Sequence, residues 1–133
     1  MTTAIVADTF FAHPPARVWA ALTDPAKLSR WLMPTDFRAE LGATFTLDAG
    51  QWGKIQCEVL ELVPESTLKI SWKAQMLDTT VTWRLVAEGA GTRLHLEHAG
   101  FDLANPMHQF AYNGMKGGWS GNIPERLAAI LAE

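Results

Sequence analysis

Histidine, cysteine, serine and the carboxylates are the side chains that could carry acid–base, metal or nucleophilic chemistry, and their spacing argues against each. His95 and His98 lie three apart in an alternating run, Arg93 to His98, so a strand sends them to opposite faces and they cannot chelate one ion. The lone Cys57 has no His/Glu cluster at ligand spacing, and no metal or cofactor is expected. Gly118-Trp119-Ser120-Gly121-Asn122 has the outline of a nucleophile elbow, but Asn stands where the final glycine belongs. It also falls in a helical segment rather than a strand-to-helix turn. Asp8, Glu58, Glu61, Glu65 and Asp78 take mostly outward phases and read as solvated. The glycines of Gly50–Gly53 and Gly89–Gly91 belong to hairpin turns, so no phosphate cradle is supported. Arg38 and Arg84 read as surface residues, although an inward arginine near a pocket mouth would hold a carboxylate.

The residues with a functional case are apolar. Trp31, Phe45, Trp72, Trp83, Met115 and Trp119 take inward phases, and His98 joins them beside Leu94 and Leu96. By default such stripes are packed core. A strongly bent sheet beneath one covering helix leaves space, however, and the same residues would then line a ligand pocket. Gly114, Gly117, Gly118 and Gly121 fall in that helix at about 1 kcal/mol each against alanine. They mark room for a ligand, close packing or a dimer seam, or a helix break. Met33, Met76, Met107 and Met115 suit an adaptable lining or serve as filler. His98 is either a satisfied core histidine or a polar anchor for a ligand, and on both readings it needs a hydrogen-bond partner.

The elements that must position these residues follow from periodicity. Ala4 to Ala12 reads as a strand with Ile5, Ala7, Thr9 and Phe11 on one face, stopped by Pro14-Pro15. Ala16 to Leu22 reads as a short helix, and Thr23 or Asp24 can cap a second one that carries Leu28, Trp31 and Leu32 and ends at Pro34. Alternation then takes over: Phe45 and Leu47; Ile55, Cys57 and Val59; Leu68, Ile70 and Trp72; Val81, Trp83 and Leu85; Leu94, Leu96 and His98. Between Val59 and Leu60 the apolar phase slips by one, which calls for a bulge. Spacing of three and four from about Asn105 to Leu131 predicts one long helix lying over the sheet.

With 133 residues the chain is expected to form a single domain, 1–133. A net charge of −3 makes nucleic acid a poor partner. No apolar run approaches the roughly 20 residues of a membrane span, so no membrane insertion is expected. One cysteine and the absence of a basic leader before the first apolar stretch favour a cytoplasmic location. Six tryptophans against one tyrosine suggest a broad concave lining or an interface as much as a dense core.

The element order, together with Phe11 to Trp19, Thr23-Asp24-Pro25 through Arg30-Trp31, Val59 to Pro64, Gly91 to Leu96, and Gly118-Trp119 leading to Glu125-Arg126-Leu127, resembles the helix-grip proteins of the START-like (SRPBCC) superfamily. Within it the chain looks most like the branch of the activator of heat-shock protein 90 ATPase homologues. The resemblance implies an α+β fold: a curved antiparallel sheet of about six to seven strands around a long C-terminal helix, with two short helices after the first strand. It also implies a cavity for a small apolar or amphipathic molecule, lined by Trp31, Phe45, Trp72, Trp83, His98, Met115 and Trp119. Two alternatives stand beside binding: a cyclase-like or hydrolytic enzyme using His98, and an interaction module, co-chaperone-like or homodimeric through Trp52 and the helix glycines.

Overall fold

Alternating apolar residues over Thr3–Phe11, Thr44–Asp48, Lys54–Val63, Thr67–Ala74, Leu77–Glu88 and Gly91–Phe101 form strands β1 to β6 in the computed structural model, which describes residues 2–74 and 77–133. They make one antiparallel sheet in the order β1-β6-β5-β4-β3-β2. Strands β2 to β6 run as a meander, and β1 closes the far edge against β6. One face carries Ile5, Phe11, Phe45, Leu47, Ile70, Trp72, Trp83, Leu94, Leu96 and His98, all buried.

The phase slip produces the expected bulge. Val59 pairs with Ile70 but Glu61 pairs with Lys69, so one residue on β3 is left over and Leu60 turns to solvent. A second bulge lies where Thr3 pairs with Phe101 and Ala4 with Ala99. The skipped residue is Gly100, at φ +107°, a conformation available at low cost only without a Cβ. These irregularities bend the sheet and deliver the chain from β6 to the covering helix.

Two short helices follow β1: α1 (Pro15–Thr23) and α2 (Pro25–Trp31). Asp24 serves both, as C-cap of α1 and as N-cap of α2, where its carboxylate accepts from the Ala26 N–H at 2.9 Å. Pro25 then fills the first helical position, whose N–H would have no partner. Val18, Leu22, Leu28 and Trp31 are buried by the pair, and the Trp31 indole donates to the Ala21 carbonyl at 2.8 Å.

The C-terminal helical segment differs from the single long helix that spacing predicts. It comes as α3 (Pro106–Ser120) and α4 (Asn122–Leu131), broken at Gly121. Pro124 is the reason: an interior proline has no N–H to bond residue 120 and its ring collides with that carbonyl. Restarting at Asn122 puts Pro124 in a first turn, where it is tolerated. A Cβ on Gly121 would sit 2.9 Å from the Gly117 carbonyl oxygen, so the break also depends on glycine. Upstream, Asn105 caps α3 by accepting from the Met107 N–H at 2.9 Å. Downstream, Arg17 donates to the Leu131 carbonyl at 2.7 Å, and Arg30 pairs with the Glu133 carboxylate. Segment α4 therefore docks on α1 and α2, whereas α3 lies over β1 and β6.

Substituting Gly100 tests the second bulge. A Cβ there would approach the Asp78 carbonyl oxygen to 3.2 Å at a φ that L-residues avoid. Gly100→Ala should cost about 1–3 kcal/mol in urea unfolding. An unchanged midpoint would show that the backbone relaxes freely at this site.

Candidate functional site

At the centre of the sheet the aromatic residues interlock. Trp83 meets Trp31 edge to face at 6.4 Å and Trp119 at 6.1 Å, and Trp119 meets Trp72 at 5.7 Å. His98 is wholly buried among Trp72, Trp119 and Phe101, with ring centroids 5.1, 5.9 and 4.7 Å away. The Trp119 indole N–H donates to His98 Nδ1 at 3.0 Å, which makes that nitrogen the acceptor. The ring proton therefore sits on Nε2 and is donated to Thr79 Oγ1, 2.8 Å away, and the Thr79 hydroxyl donates to the Trp72 carbonyl at 2.8 Å. Every link has one direction, and it requires a neutral imidazole. Burial supports this by pushing the His98 pKa down to about 3.

This arrangement resolves two expectations. His98 is a satisfied core histidine with no nitrogen left for a substrate. Trp31, Phe45, Trp72, Trp83 and Trp119 are all buried, and the spaces beside them are small. About 20 Å³ lies between Trp31, Trp83, Trp119, Ile123 and β1, and about 10 Å³ lies beside Phe45 and Trp83. Each has room for roughly one water. The interior beneath Trp119 is packed rather than hollow, because four indoles at edge-to-face distance occupy the volume that bending opens. Cys57 is buried on the same face, and desolvation pushes its thiol up to about 12, so it is no nucleophile at neutral pH. Among the described residues no three His, Cys, Asp or Glu side chains converge as metal ligands.

The open space lies further along α3. A groove of about 670 Å³ runs between α3, the ends of β4 and β5, and the 3-10 turn at Gly50–Trp52. Its α3 wall is Met107, Phe110, Ala111, Gly114 and Met115; its sheet wall is Ala74 and Leu77. Trp52 and Phe110, 60% and 70% exposed, meet across the rim at 6.5 Å. His108 is the titratable side chain on the lining among the described residues, and its Nδ1 accepts from the Asp102 N–H at 3.0 Å. A Cβ on Gly114 would meet nothing within 4 Å.

Of the seven sequence candidates, Met115 alone lines this groove. Met107 from the methionine set joins it, Met33 packs against the core, and Met76 lies outside the described residues. Trp52, Phe110, Ala74 and Leu77 were not singled out as pocket residues. The usable signal was Phe110 at helical spacing from Gly114 with no inward partner in the pattern, and a tryptophan inside a glycine-flanked turn.

The six-stranded curved sheet, the α1–α2 pair and the C-terminal helical segment define a helix-grip protein. A family model described as activator of Hsp90 ATPase homolog 1-like protein matches residues 12–132, and the chain belongs to that family. It is similar to the crystal structure of MLL2253 from Mesorhizobium loti, with 34% identity, 98% of this chain and 97% of that one covered, and a TM-score of 0.89. CalU16 from Micromonospora echinospora is 27% identical over 98% of this chain and 74% of that one, TM-score 0.82. BH1534 from Bacillus halodurans is 27% identical over 98% and 99%, TM-score 0.82. PFC0360w, an Hsp90 activator from Plasmodium falciparum, shares the fold at 23% identity and a TM-score of 0.77. No functionally curated protein matches the chain. No helix among the described residues is long and apolar enough to cross a membrane.

The buried imidazole carries a pH dependence of fixed sign. Its folded value, about 3, lies below the ordinary 6.5, so the unfolded chain takes up a proton that the folded chain refuses. The contribution is complete above about pH 6.5 and is lost as pH falls, by up to about 1.4 kcal/mol per unit. Urea unfolding between about pH 7 and pH 5, above most carboxylate titration, should show this slope in the wild type. His98→Gln, less stable throughout, should have a shallower slope; equal slopes would mean that the folded protein accepts the proton.

Proposed function

We propose that this protein binds a small, hydrophobic or aromatic molecule in the groove between α3 and the β4–β5 end of the sheet. The observation that carries the reading is the groove itself. Its volume, about 670 Å³, falls in the range of roughly 300–1,000 Å³ typical of small-molecule sites. Its walls are nearly all apolar, and its rim holds two exposed aromatics against each other. Apolar residues exposed around a concavity are costly unless something covers them.

Binding rather than catalysis is supported by the groups present. Among the described residues the groove offers no carboxylate, lysine or nucleophile; its imidazole, His108, has Nδ1 engaged by the Asp102 N–H, and His98 is buried in the core. The family's link with a chaperone ATPase rests on names and fold, and the groove supplies no charged surface for it. The same rim is where a second copy of the chain would dock, since Trp52, Met107 and Phe110 are all exposed. A cytoplasmic location is part of the same proposal.

Gly114→Phe tests the proposal. The new ring would stand over the groove where a Cβ meets open space, and phenylalanine is a better helix former than glycine. Thermal stability should be unchanged or higher, while binding of 2-ethylnaphthalene, read from the Trp52 indole resonance, should weaken about tenfold or more. Undiminished binding by Gly114→Phe would remove the groove as the site. Sedimentation at working concentration should show a monomer; a dimer dispersed by the same substitution would move the groove from ligand site to interface.

A further inference from the structure

Among the described residues one buried side-chain donor has no acceptor. Trp72 is 2% exposed, and among the described residues its Nε1–H has no hydrogen-bond partner. Its neighbours do not share this condition. Trp31 gives its indole proton to the Ala21 carbonyl and Trp119 gives its own to His98. Thr79 and His98, the polar groups nearest Trp72 on the paired strands, are committed to each other, and the Thr79 hydroxyl proton goes to the Trp72 carbonyl rather than its ring. A buried N–H left unmade carries the full desolvation cost of the donor. Phenylalanine would fill much of the same volume without that cost, so the indole at this position calls for an explanation.

Its place in the sheet supplies one. Trp72 pairs with Thr79, and the next pair on the same face is Ala74 with Leu77, the sheet wall of the groove. On the opposite wall Met115 lines the groove, and Trp119, one turn on, touches the Trp72 ring at 5.7 Å. Ala74, Leu77, Ala111 and Met115 line the groove and also pack against the core that holds Trp72. These four side chains stand between the groove and the core that holds Trp72, and the unbranched thioether of Met115 is the one among them that changes rotamer cheaply.

The geometry points to Trp72 as the specificity residue of the groove: its indole N–H receives a hydrogen-bond acceptor on an otherwise apolar, uncharged ligand. The chemical class follows from what surrounds that donor. Among the described residues no lysine or arginine lines the groove, and its imidazole, His108, has Nδ1 accepting from the Asp102 N–H, so an ionised carboxylate or phosphate would lose hydration without a fixed counter-charge. A donor on the ligand would find Thr79 Oγ1 already accepting from His98 Nε2 and His98 Nδ1 already accepting from Trp119. A neutral carbonyl, ether or ring nitrogen on a flat apolar body satisfies both restrictions. This rests on the groove being a ligand site, and the test separates the two.

The probes are 2-acetylnaphthalene and 2-ethylnaphthalene, which share a skeleton and differ by one carbonyl oxygen. Titrated against the full chain, the ketone should bind about tenfold more tightly once water–hydrocarbon partitioning is subtracted. It alone should move the Trp72 indole N–H resonance downfield. In Trp72→Phe the ketone should lose this advantage while the hydrocarbon keeps its wild-type affinity. If both probes bind the wild type equally and leave the Trp72 resonance in place, the role of Trp72 is overturned and the groove stands. If neither probe binds, both fall. The resonance is measured on wild-type protein, so the outcome does not depend on Trp72→Phe folding; a Trp72→Tyr variant can assign the resonance by its disappearance.

Discussion

The hydrogen bond from the Trp119 indole to His98 ties the C-terminal end of α3 to the sheet. Trp119 is the buried residue of that helix, and the bond places it against Trp72 and Trp83 in the middle of the concave face. Three links in one direction, from indole to imidazole to hydroxyl to carbonyl, satisfy three buried side chains, Trp119, His98 and Thr79. Because the chain works only with a neutral ring, burial and hydrogen bonding reinforce each other. Helix α3 otherwise packs on β1 and β6, and the groove lies between it and the β4–β5 end of the sheet.

Much of the architecture was legible in the sequence, and for identifiable reasons. Period-two alternation from Phe45 to His98 marks the strands because an antiparallel sheet with one solvated face needs it. The one-residue slip after Val59 announced the bulge, since the apolar face has to be kept. Asp24-Pro25 announced the boundary between α1 and α2 through capping chemistry. The break at Gly121 was legible as well, although apolar spacing alone runs straight through it. Pro124 carries the information, and a periodicity argument has no place for a residue that matters through its missing N–H. The bulge at Gly100 had no readable signal: a glycine near a strand end is consistent with several local structures.

The candidate site was less legible than the fold. An inward phase says that Trp72, Trp83 and Trp119 are sheltered from water, but not whether the next atom across is a ring or a void. That depends on how large side chains from separate strands mesh, a three-body matter on which spacing is silent. Here they mesh, with ring centroids 5.7 and 6.1 Å apart. The groove walls come instead from residues that a burial argument passes over, because Trp52 and Phe110 are more than half exposed. Membership of the family constrains this little. Relatives at 27% identity keep the fold over nearly the whole of this chain, while the groove is built from a helix face, a turn and a hairpin end that can vary without disturbing the buried chain of hydrogen bonds.

The glycines of α3 and its end now separate by task. Gly121 makes the break that Pro124 requires, and a Cβ added to Gly118 would meet the Ile123 methyl across it at 3.8 Å, an ordinary contact. Gly114 and Gly117 face open space, where alanine would fit without contact. Packing therefore does not account for Gly114 and Gly117, and each lowers helix stability by about 1 kcal/mol. The helix they weaken is secured at its ends, by the Asn105 cap and Pro106 at the start and by Trp119 near the finish. Between those points Met107 and Phe110 lie over the groove, while Ala111, Tyr112 and Met115 are only partly buried against the core. A segment with fixed ends and a marginal middle opens locally at lower cost than the sheet beneath it. A helix that has to admit an apolar molecule beneath it needs that property, and a helix serving only to cover a core does not.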